Sequence, residues 1–138
     1  MVKTNLNNYV GIKWVYRGRE IDRDGGLDCY GLVRLFYKNE YSIELPKWDV
    51  IASSDNPQVT DNLVKSNDLE HDHPFVETIT PKTGDVVLMN ILGFPVHVGI
   101  FVNDKYLLHS RQQSSLSEIV SFDKWSKRVD GYYTIKDF

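Results

Sequence analysis

The sequence predicts an α+β fold: one helix near the N-terminus, laid on a sheet of later antiparallel strands. Three observations carry this. Cys29, Leu32, Val33 and Phe36 recur at i, i+3, i+4 and i+7, which is the apolar stripe of a helix. From residue 81 the apolar period becomes two, with Val96, Val98, Ile100 and Val102 alternating with His97, Gly99 and Phe101. The two patterns occupy separate parts of the chain, so helix and strands segregate into layers. A length of 138 residues suits one domain, 1–138, and 41% hydrophobic residues supply its core.

The elements follow in order. Residues 5–18 form a mixed aromatic stretch with Tyr9, Trp14 and Tyr16, and residues 19–26, REIDRDGG, read as a polar loop. A helix is expected over 29–39, with Asp28 at its N-cap accepting a hydrogen bond from a free backbone N–H. Lys38 and Asn39 suit its C-terminal end, and Pro46 marks a stop beyond it. Residues 47–80 carry weaker signals. Asp49 and the run Ser53 to Pro57 suggest a turn, Val59 to Leu69 a short helix, and His71 to Pro74 a loop. Thr80 to Asp85 is a turn, Val86 to Asn90 a strand, and Ile91 to Pro95 a connection around Gly93. Val96 to Val102 is the second strand. Asn103 and Asp104 turn the chain, Tyr106 to Ser110 is the third strand, and Tyr132 to Ile135 the last.

Composition removes several function classes. The net charge is −3 with no basic block, so the footprint of a nucleic-acid binder is missing. No apolar run has the length of a membrane span. The opening MVKTNLNNYV has no apolar core of a secretory signal, so a virion or a dedicated secretion device is expected to carry the protein out of the cell that makes it. The single cysteine excludes an internal disulfide and a multi-cysteine zinc site. His71 and His73 would share a face of a strand, but no third ligand accompanies them; a solvated loop is expected, with no metal.

A thiol attacks well as a thiolate, and a helix N-terminus favours the anion. Cys29 is expected there, which supplies half of what a reactive cysteine needs. The other half is a base within hydrogen-bond reach. His97 lies inside an otherwise apolar strand, and Gly99, on the same face, marks a close approach that the helix carrying Cys29 could make. His109 ends the next strand. A three-residue loop, Asn103 to Lys105, pairs Gly99 with His109 and makes His97 and His109 diagonal neighbours about 7–8 Å apart. A two-residue loop turns the rings to opposite faces. In the first case His109 can orient His97 and fix its tautomer.

Three segments resemble the NlpC-type cysteine peptidases: GLDCYGLVRLFY the nucleophile segment, PVHVGIFVNDKYLLHS the base-bearing hairpin, and TPKTGDVVLM the strand before it. The resemblance covers roughly residues 9–46 and 81–135. YVGIKWVYRGRE and the closing SLSEIVSFDKWSKRVDGYY resemble most the subset found in bacteriophage tail tips. The resemblance implies a small papain-like α+β domain with its nucleophile helix on an antiparallel sheet. It implies hydrolysis of a peptidoglycan stem-peptide amide next to D-glutamate or diaminopimelate, without a cofactor. Cys29 would be the nucleophile, His97 the base, His109 the orienting residue, and the Cys29 backbone N–H an oxyanion donor. Asp28, Tyr30 and Trp14 would bind substrate. Tyr30 stands where the family often has Ser, and Trp14 where bacterial members have Tyr. Other tail-tip proteins would be partners, and the virion the location. The resemblance also allows a tail-tip assembly part with little or no activity, and exposed aromatics among Tyr9, Trp14, Tyr16 and Trp48 would favour it.

Overall fold

A computed structural model describes residues 5–46 and 75–135. The expected turn, helix and loop of residues 47–74, with His71 and His73, lie outside the described residues. Helices α1 (Ile21–Asp24) and α2 (Cys29–Tyr41) precede strands β1 (Phe75–Thr78), β2 (Val86–Ile91), β3 (Phe94–Val102), β4 (Tyr106–His109), β5 (Glu118–Ser121) and β6 (Val129–Ile135). The strands form one sheet in the order β1-β6-β2-β3-β4-β5, with every neighbour antiparallel. This is the α+β arrangement the periodicities predict.

Helix α2 begins where Asp28 accepts a hydrogen bond from the Gly31 N–H at 2.8 Å, the capping contact of an N-cap aspartate. It runs two residues beyond the expected end and stops at Ser42, which adopts a left-handed φ of 57°. Its stripe of Leu32, Val33, Phe36 and Tyr37 packs on Val86, Leu88, Val98, Ile100, Val102 and Leu108 from one face of the sheet. Each fully buried Leu, Val or Phe contributes about 1.5–3 kcal/mol. A second cluster, with Val87, Met89, Phe101, Leu107, Phe122 and Trp125, covers the opposite face. The alternation expected for β3 therefore has both faces buried.

Three differences from the expected elements have local causes. REIDRDGG contains the helical turn α1, because the Asp24 carboxylate accepts the Arg19 and Glu20 N–H groups, and Gly25, at φ 77°, ends it. The connection between β2 and β3 is tighter than expected: Leu92 and Gly93 take left-handed φ values of 53° and 85°, giving a two-residue hairpin turn. Strands β1 and β5 were not expected: each has four residues, and no tight turn joins it to its partner strand as one joins β3 to β4.

Candidate active site

The start of α2 is stitched into the ends of three other segments. Residues 11–14 run beside 115–117 through Gly11 N–H to Ser117 O at 2.9 Å, Ser117 N–H to Ile12 O at 2.8 Å, and Trp14 N–H to Ser115 O at 2.8 Å. The Leu27 N–H donates to Lys13 O at 2.9 Å, and Trp14 and Leu27 form a parallel bridge. The Ser110 hydroxyl donates to Leu27 O at 3.3 Å. Cys29 is thus held where β4 runs out, and Trp14 is bridged to the chain two residues before it.

Close packing here depends on glycine. A Cβ on Gly31 would lie 2.0 Å from the Gly18 carbonyl oxygen, and one on Gly18 would lie 2.5 Å from the Gly26 carbonyl oxygen. Neither contact is possible, so bare backbone lets the 18–19 segment lie against the helix start. That approach brings Arg19 onto Asp28. The two form a buried ion pair, and Arg19 also lies over the Tyr30 ring, 5.2 Å from its centroid. Arg34 reaches back with its guanidinium, donating to Arg19 O at 2.7 Å and Leu45 O at 3.0 Å.

Asp28 and Tyr30 are both buried. Asp28 is 2% exposed, with one oxygen on the Gly31 N–H and the other on Arg19. Tyr30 is 1% exposed, and its hydroxyl donates to Pro46 O at 2.7 Å. The structure gives Tyr30, expected at the substrate, a position in the core. Its aromatic body fills space beneath Arg19 that a small serine would leave open.

The hairpin resolves the loop alternatives. Val102 pairs with Tyr106, so the loop is Asn103, Asp104 and Lys105, and the register continues to set Gly99 opposite His109. The diagonal imidazoles meet: His97 Nε2 lies 2.8 Å from His109 Nδ1. Gly99 is required between them. A Cβ there would lie 2.7 Å from Leu107 Cδ1, 3.0 Å from Leu108 O and 3.2 Å from His109 Cβ. The close approach at Gly99 thus comes from β4, not from the helix carrying Cys29 as the sequence suggested.

Both rings pack on Trp125, His97 tilted against the indole with centroids 5.3 Å apart and His109 edge-on at 5.2 Å. The guanidinium groups of Arg111 and Arg128 lie over the same indole at 5.4 and 5.3 Å. On the far side, His109 Nε2 lies 2.9 Å from the Glu118 carboxylate, directly across β4 and β5. Burial holds His97 well below the usual imidazole range, with His109 and Arg111 adding to the effect. Burial also lowers His109, while Glu118 opposes the shift. Both shifts favour the neutral rings. Glu118 and Trp125 were missed at the sequence level. Glu118 could have been found only with β5 assigned, since it joins the site as a cross-strand partner.

These features match a known family. The NlpC/P60 family model matches residues 11–134, nearly the whole chain. The chain belongs to the NlpC/P60 family. Its fold is similar to the NlpC/P60 domain of the peptidoglycan hydrolase SagA, with a TM-score of 0.61 at 20% identity over 94% of this chain and 92% of that one. It is also similar to the P60 domain of a Mycobacterium avium subspecies paratuberculosis antigen, with a TM-score of 0.57 at 14% identity over 94% of this chain and 88% of that one. An NlpC/P60 protein from Bacillus cereus ATCC 10987 gives a TM-score of 0.59 at 19% identity over 92% of this chain, which spans 37% of that one. Among curated proteins there is no match. At these identities the similarity to solved structures concerns the fold. Among the described residues no helix is long and apolar enough to cross a membrane, and no cluster of His, Cys, Asp or Glu could hold a metal ion.

Proposed function

We propose that this NlpC/P60 domain is a cysteine peptidase that cleaves amide bonds in peptidoglycan stem peptides, with Cys29 as nucleophile, His97 as base and His109 as orienting residue. The observation that carries the reading is the buried His97–His109 hydrogen bond at 2.8 Å, on the strands beside the helix that Cys29 heads. It engages Nε2 of His97, and among the described residues no hydrogen bond engages Nδ1. Nδ1 is then the atom for the thiol. Strand β4 stops at His109, and the turn at Ser110 binds the segment leading into Cys29. His97 thus has no strand beside it on that edge, and the reading has the thiol approach from there.

In the reaction, Nδ1 of His97 takes the Cys29 proton as Sγ attacks the carbonyl carbon. The developing oxyanion lies at the N-terminus of α2, where the Cys29 backbone N–H can donate to it. As the C–N bond breaks, His97 returns the proton to the leaving amine. The thioester left on Cys29 is hydrolysed by a water that His97 deprotonates. No step needs a cofactor.

The setting we propose is a bacteriophage tail tip, supported by the likeness of YVGIKWVYRGRE and the closing residues to that subset. A purely structural tail part draws less support. Tyr9 is fully buried with its hydroxyl on Glu40, Trp14 is half-buried, and Tyr16 is exposed. Trp48 lies outside the described residues. The test is digestion of diaminopimelate-type peptidoglycan by the wild type and Cys29→Ala, with products read by mass. New stem-peptide fragments from the wild type alone are expected. Equal fragments from both, or none from either, would refute the reading.

A further inference from the structure

The hydrogen-bonded chain that begins at His97 ends on Glu118, and no step above uses that carboxylate. We infer that Glu118 is a positioning residue that sets the tautomers of both histidines and so leaves the Nδ1 lone pair of His97 bare for the Cys29 thiol. The tautomers follow from the contact geometry of two neutral rings; their use in cleavage rests on the peptidase reading.

Each proton is determined in turn from the carboxylate inward. An ionised carboxylate only accepts hydrogen bonds. The 2.9 Å contact therefore requires that His109 Nε2 carry a hydrogen. A neutral imidazole has one N–H, so His109 Nδ1 is an acceptor. The 2.8 Å contact then requires that His97 Nε2 be the donor. The second nitrogen of neutral His97, Nδ1, is left as a lone pair. One acceptor at the edge of the sheet fixes the direction of both bonds.

Without it the pair has no preferred direction. Reversed, His109 Nδ1 would donate to His97 Nε2, and the His97 hydrogen would sit on Nδ1. That nitrogen could not then take a proton from a thiol. Arg111 and Arg128, the other charged groups beside these rings, are donors only and cannot replace the carboxylate. Strand pairing puts Glu118 in position, as the directly opposite partner of His109 in the β4–β5 ladder.

The same chain serves the charged state. When His97 takes the thiol proton on Nδ1, its Nε2–H still donates to His109, and His109 still donates to Glu118. No proton moves along the chain. The negative charge at its end favours the imidazolium.

The test uses the full chain with 15N-labelled histidine and two-bond 1H–15N correlation spectra at pH 7, for wild type, Glu118→Gln and Glu118→Lys. The wild type should show bare Nδ1 and protonated Nε2 in both rings. A Gln carbonyl can still accept, so that variant should keep the pattern and stay within about tenfold of wild-type kcat. A Lys ammonium only donates, so Glu118→Lys should move both protons to Nδ1 and lower kcat by about 10²–10⁴-fold with little change in KM. Wild-type rings protonated on Nδ1 would overturn the inference, and so would an unchanged pattern in a folded Glu118→Lys. If that variant does not fold, the wild-type spectrum still decides. The expected wild-type spectrum with no peptidoglycan cleavage would instead count against the peptidase reading and leave the tautomers assigned.

Discussion

Gly99→Ala adds one methyl group, and the structure says what it meets. The new carbon would lie 2.7 Å from Leu107 Cδ1, 3.0 Å from Leu108 O and 3.2 Å from His109 Cβ. The first contact is cheap, because a leucine tip can rotate. The other two involve backbone and the root of His109, so β4 must shift by a few tenths of an ångström. Overpacking of this kind costs about 1–3 kcal/mol. Replacing Gly by Ala in an extended segment returns about 0.5–1 kcal/mol through the unfolded chain. The net loss is then about 0–2.5 kcal/mol, at about 3–4 °C in Tm per kcal/mol for a chain of this size. The same shift moves His109 relative to His97. A misplacement of about 1 Å can cost about 100-fold, so a few tenths should lower kcat by about tenfold. Thermal melts and stem-peptide hydrolysis measure the two effects. An unchanged or raised Tm with wild-type kcat would refute the packing argument.

Other predictions follow from the same contacts. Arg19→Met should destabilise the protein by about 3–5 kcal/mol, because it leaves the Asp28 carboxylate buried without its partner; denaturant titration measures this, and a loss under about 1 kcal/mol would contradict it. The imidazoles predict a stability that depends on pH. Both are depressed in the fold, so below the unfolded value near 6.5 the unfolded chain binds more protons, and stability falls with falling pH. Each histidine contributes up to about 1.4 kcal/mol per pH unit in that window. Melts at pH 7.5 and 5.5 should differ accordingly, and His97→Gln should flatten the difference; equal slopes would contradict the assignment. Trp125→Leu should thin the packing over both rings and let the His97 titration move up toward the ordinary imidazole range, as followed by NMR. A titration that stays in place would show that burial by Trp125 is not the cause.

Much of the fold was legible because each face of its main elements has one environment. The Leu32, Val33, Phe36 stripe and the β3 alternation are periodic because one helix covers one sheet face. The Asp28 cap was legible because capping is local in sequence. Strands β1 and β5 were not, since each has four residues and no tight turn joins it to its partner strand as one joins β3 to β4. The same contrast holds at the site. His97 and His109 stood out by position within strands, and a three-residue loop settled their pairing. Glu118, Trp125 and Arg19 carry no local signal. They reach the site through cross-strand register, a ring-to-ring contact and a glycine-permitted backbone contact. Tyr30 and Asp28 were placed at the substrate by likeness to a motif alone; what their surroundings show is a Tyr30 buried in the core and an Asp28 that caps α2 and pairs with Arg19.

The central claim is that His97 activates Cys29. Since Cys29 is the sole cysteine, its alkylation rate at pH 7, followed by intact mass in wild type and His97→Ala, tests the claim most directly. Rapid alkylation is expected in the wild type, with a drop of at least about tenfold in the variant. Equal rates in the two proteins would contradict the claim.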